Sequence, residues 1–153
     1  MSFRRWFDHP VIHLILRLLL GGLFITSGTL KLLAPRSEFI AIVHQYQILP
    51  ESLGILFGTL LPWVEVITGI FLVVGLYFQW SLAVTGLMLA SFMIALGVNL
   101  LRGRTIEDCG CFGNAQFLGS SLEEVLLRDV VLVGMLVWLA MTPVRWTLDE
   151  RLR

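Results

Sequence analysis

Leu53-Gly-Ile-Leu-Phe-Gly-Thr-Leu-Leu-Pro62-Trp-Val-Glu65-Val-Ile-Thr-Gly-Ile-Phe-Leu-Val-Val-Gly-Leu-Tyr-Phe78 is a long apolar run whose only charged side chain is Glu65. A bilayer core of about 30 Å is crossed by roughly 20 helical residues rising about 1.5 Å each. This run is long enough. Backbone N–H and C=O groups in hydrocarbon must be satisfied within the segment, which makes it a helix. Three more runs share its character: Val11 to Leu33, interrupted by His13 and Arg17; Trp80 to Leu101, carrying Asn99; and Leu122 to Met141, with Arg128 and Asp129 in its early turns. The expected fold is all-α, an integral membrane bundle of four transmembrane helices, with residues 1–153 as a single domain.

Composition agrees. The 153 residues are 57% hydrophobic and 14% charged, with a mean hydropathy of +0.85. Soluble domains carry about 25% charged residues, so a water-facing coat is missing. The 11 basic and 11 acidic side chains cancel, leaving no basic excess to favour a nucleic-acid partner. The partner implied first is the lipid bilayer.

Local signals mark the ends of the runs. Pro10 suits a first helical turn, where its missing N–H is not needed. Ser121 with Glu124 three residues on forms a capping-box pattern ahead of the last run. Trp6, Trp63, Tyr77, Trp80, Trp138 and Trp146 include candidates for interface anchors. Only Gln79 separates the second and third runs, predicting a tight hairpin. The first run follows Arg4 and Arg5 as a signal peptide would, yet its apolar stretch exceeds the usual 7–15 residues. It is read as retained. Between Pro35 and Pro50, Phe39, Ile42, Val43 and Tyr46 recur at helical steps, predicting a short amphipathic helix that caps the bundle or forms a lid.

Basic residues at both ends (Arg4, Arg5, Arg145, Arg151 and Arg153) place both termini in the cytoplasm by the positive-inside tendency. Lys31, Arg36, Arg102 and Arg104 then fall in the opposing loops, with the segment holding both cysteines of the chain. Disulfide chemistry persists outside the cytosol, which is consistent with that placement.

The segment Glu107-Asp108-Cys109-Gly110-Cys111-Phe112-Gly113 carries the chemistry. A disulfide needs Cα atoms about 5.5–6 Å apart and a χ3 near 90°, which so small a ring satisfies poorly. Such a bridge reduces readily, as a redox couple requires, and closing so short a loop adds little stability. Thiol–disulfide exchange through Cys109 and Cys111 is the leading reading. An inert pair is the bland alternative. Another is a soft metal ion such as Cu(I), with His44 as a further ligand. Arg102, Arg104, Arg128 and Lys31 favour a thiolate if they approach the loop, while Glu107 and Asp108 oppose them.

Several segments resemble the MauE/DoxX family of redox-associated bacterial membrane proteins. They are Arg17-Leu-Leu-Leu-Gly-Gly-Leu-Phe-Ile-Thr-Ser-Gly28-Thr-Leu-Lys31, Leu49-Pro50, Leu61-Pro62-Trp-Val-Glu65 with Gly69, and Cys109-Gly-Cys-Phe-Gly113. The last is the specific one and points to the MauE side. The resemblance implies a four-helix protein of the bacterial inner membrane. On the MauE side it is linked, in methylamine-utilising bacteria, to maturation of a disulfide-rich dehydrogenase subunit. DoxX-type relatives are linked to thiol and oxidative-stress assemblies.

Charges inside a bilayer cost at least about 2.5–3.5 kcal/mol at mid-helix, so each requires a partner or a role. Arg17, or Arg128 with Asp129, is the expected partner of Glu65; alternatively Glu65 carries a proton below the cysteine loop, in room opened by a kink at Pro62. His13 is read as an interface residue and Asn99 as an interhelical hydrogen-bonder. Gly21, Gly22, Gly28, Gly69, Gly75 and Gly86 are read as close-packing sites. The resulting expectation is a thiol–disulfide redox protein exchanging with a thioredoxin-like or other disulfide-bearing extracytoplasmic protein. It needs no resident cofactor or metal, and a membrane quinone is among its candidate electron partners. The competing class is a non-catalytic assembly or metal-handling subunit.

Overall fold

The computed structural model describes residues 10–45, 47, 50–102 and 122–142. Arg104, Cys109, Cys111, Tyr46, Trp6, Trp146, the basic termini and the side chain of Asn99 lie outside the described residues. The described chain is helical: α1 (Pro10–Leu33), α2 (Arg36–Gln45), α3 (Glu51–Val74), α4 (Phe78–Leu101) and α5 (Leu122–Met141). Among the described residues, three segments are long and apolar enough to cross a membrane: Val11–Leu33, Glu51–Val74 and Phe78–Val98. Helix α5 has the bounds expected of the fourth run. Large side chains such as Trp80, Leu87, Ile94 and Leu101 are exposed on α4, as a lipid-facing surface requires.

The longest interface is between α1 and α3; α4 follows α3, and α5 packs on both α4 and α1. Leu20, Phe24, Leu61, Leu72, Leu82, Leu89 and Leu132 form the shared core. Glycines let α1 and α3 touch backbone to backbone. A Cβ on Gly21 would lie 2.8 Å from the Gly69 carbonyl oxygen, and one on Gly69 would lie 2.8 Å from that of Gly21. One on Gly28 would lie 2.8 Å from the Pro62 carbonyl oxygen. The two contacts recur seven residues apart on each helix, the repeat of a pair of supercoiled helices. Small residues serve this purpose in membranes because close backbones gain dispersion contacts.

The hairpin between α3 and α4 differs from the expected one. The turn is Gly75-Leu76-Tyr77, and Gln79 lies within α4. Gly75 adopts φ 76°, and its N–H and that of Leu76 both reach the Phe71 carbonyl, at 2.8 and 3.0 Å. Local capping by a left-handed glycine therefore ends α3 earlier than hydropathy indicates. Gly75 is a cap rather than a packing site. Gly22 has nothing within 4 Å of its would-be Cβ, and Gly86 meets Leu136 only at ordinary contact distance. Helix α3 is continuous through Pro62, and Gly28 stands opposite Glu65.

Helix α2 realises the short amphipathic helix and lies on α3. Phe39 is buried. Would-be Cβ atoms on Gly58 and Gly54 would lie 3.0 Å from Ile40 Cγ1 and 3.1 Å from His44 Cε1 respectively. His13 is interior rather than interfacial: it is buried, with its ring centroid 5.4 Å from Phe78 and 6.4 Å from Trp138. The same contact turns Trp138 inward.

Gly28→Val is expected to lower the thermal midpoint, by an overpacking cost of about 1–3 kcal/mol, because backbone stands where the side chain must go. Gly22→Ala is expected to be neutral or to stabilise by up to about 1 kcal/mol, through helix propensity. Melting curves of both variants in the same detergent check the contrast; equal losses would refute the packing assignment.

Candidate functional site

Serine 27 and Lys31 stand one turn apart on α1 and flank Gly28, the position where α3 comes closest. A Cβ on Gly28 would lie 2.9 Å from Glu65 Cβ, so the missing side chain lets the stem of Glu65 pass. Lys31 Nζ reaches Glu65 Oε1 at 2.5 Å, with side chains 0% and 1% exposed. Ser27 Oγ donates to Glu65 Oε2 at 3.2 Å and accepts from Lys31 Nζ at 3.1 Å. The ammonium also sits 5.2 Å from the ring centroids of Phe39 and Phe92, a favourable position for a desolvated cation. Each buried charge is thereby paired and hydrogen-bonded, the condition under which burial is tolerated.

Lys31 is therefore the partner of Glu65, and Arg17 is not. Register explains this. Gly21 faces Gly69 and Gly28 faces Pro62, and the same antiparallel step brings Arg17 level with Val73, whose carbonyl accepts from Arg17 Nη2 at 3.1 Å. That carbonyl belongs to the last turn of α3, where backbone acceptors lack intrahelical donors and a cation suits the helix dipole. Arg17 thus caps α3 about 12 Å along the helix from Glu65. Lys31, read from sequence as a neighbour of the cysteines, is committed to Glu65. Its signal in the sequence was the Ser27-Gly28-Thr-Leu-Lys31 spacing opposite an acid.

Arg128 and Asp129 pair with each other: Nη2 and Nε donate to Asp129 Oδ1 at 3.2 and 3.4 Å. They nevertheless approach Glu65. A cavity of about 30 Å³ is lined by Ser27, Glu65, Arg128 and Asp129 together with apolar side chains that include Phe24, Leu89 and Leu132. Two ion pairs from different helices thus open on one space. Arg102 is exposed at the end of α4; Arg104, Cys109 and Cys111 lie outside the described residues. Among the described residues no group of three or more His, Cys, Asp and Glu side chains is placed to hold a metal, and His44 packs on Gly54.

These features define a helical membrane protein whose apolar interior is organised around paired charges. The family model described as "Methylamine utilisation protein MauE" matches residues 9–142, and the chain belongs to that family. It is 33% identical to the methylamine utilization protein MauE of Paracoccus denitrificans over 132 residues, 86% of this chain and 69% of that protein. It is 31% identical to the MauE of Methylophilus methylotrophus over 122 residues, 80% of this chain and 64% of the relative. The chain thus spans about two thirds of the relatives' length. No solved structure matches it.

Breaking a buried pair strands its other charge and costs about 3–5 kcal/mol, whereas replacing both partners is far milder. Lys31→Met and Glu65→Gln are each expected to lower stability by that order, with the Lys31→Met/Glu65→Gln double variant recovering most of the loss. Arg17→Gln, Glu65→Gln and their combination should be additive. Thermal unfolding of the five variants tests both statements; strong Arg17–Glu65 coupling would contradict the register.

Proposed function

We propose that this chain is a membrane-bound accessory protein that matures a partner enzyme by thiol–disulfide exchange through Cys109 and Cys111. The observation that carries the reading is the Cys109-Gly-Cys111 spacing in a chain of the MauE family of methylamine utilisation proteins. The proposed partner is a disulfide-bearing protein outside the cytoplasm, either thioredoxin-like or the enzyme subunit itself.

The proposed topology has four spans, with α5 as the fourth, both termini cytoplasmic and the cysteines facing outward from the bacterial inner membrane. Chain connectivity supports the cysteines' nearness to the charge cluster. Their segment leaves α4 after Arg102 and enters α5 shortly before Arg128 and Asp129, which share a cavity with Glu65. Arg102, Arg104 and Arg128 are proposed to favour the thiolate, the reactive form. In the exchange, one thiolate attacks a partner disulfide and releases a partner thiolate. The neighbouring thiolate then attacks the mixed disulfide and releases the second. This chain ends as the disulfide and the partner as the dithiol, with the two thiol protons passing to the partner's sulfurs. Lys31 and Glu65 hold α1 against α3.

Cys111→Ser and Cys109→Ser are expected to accumulate a mixed disulfide with an extracytoplasmic protein, lost on reduction. An impermeant maleimide should label the wild-type cysteines in intact cells. A reversible two-electron titration against glutathione is expected of purified protein. Unreactive thiols, or thiols that retain stoichiometric copper, would replace the exchange reading with that of a non-catalytic or metal-handling subunit.

A further inference from the structure

We draw no further inference here: the strongest candidate, the exposed apolar face of α4 that carries Trp80, Leu87, Ile94 and Leu101, is one that lipid alone would cover, and nothing in the structure shows a second copy or another partner seated on it.

Discussion

The Lys31–Glu65 ion pair is the constraint around which the rest of the protein is arranged. Two charges in a low-dielectric interior attract strongly, but each has lost its hydration, and the desolvation cost can exceed the attraction. The pair is tolerable only where geometry is close and the remaining lone pairs are occupied. Ser27 bridges both charges, and Phe39 and Phe92 present their rings to the ammonium. Apolar residues at these two positions would pack with less cost. They would not, however, penalise a slipped register, because any neighbouring apolar surface would do. The charges make one alignment of α1 on α3 much better than its neighbours.

That alignment is supported by features that carry no charge. Gly21 against Gly69 and Gly28 against Pro62 bring the backbones together, and the same register sets Arg17 against the open carbonyl of Val73. One end of the α1–α3 interface is therefore held by a cation capping a helix and the other by a closed ion pair. Helix α2 adds the roof. It lies on Gly54 and Gly58 of α3 through His44 and Ile40, and Phe39 reaches the ammonium. The short helix is thus tied to the same charge that fixes the long ones.

Much of the fold was legible in the amino-acid order because membrane insertion leaves few options. Long apolar runs without charge clusters become helices wherever they fall, and α1, α2 and α5 follow their expected bounds closely. The hairpin was misplaced because hydropathy runs on smoothly through Gly75, whereas the chain turns by a backbone conformation that only local capping reveals. Of the site, Glu65 was legible as a buried acid requiring a partner. Which cation answers it was not. Arg17 and Arg128 were the expected partners because each is a cation in an apolar run, while rotation and register decide reach between helices, and both belong to the packed pair. His13 was misread for a related reason: its distance from the helix end says nothing about which side it faces.

The sequence by itself determined the helical membrane class, the number and approximate limits of the long helices, the Cys109-Gly-Cys111 pair as the chemical candidate, and the family. All of these follow from composition or from residues adjacent in the chain. Only the tertiary structure decided that Lys31 neutralises Glu65, that Arg17 caps α3, and that Arg128 and Asp129 share a cavity with Glu65. Those relations join residues tens of positions apart. Between such residues, reach depends on the register and rotation of packed helices, which no local pattern encodes.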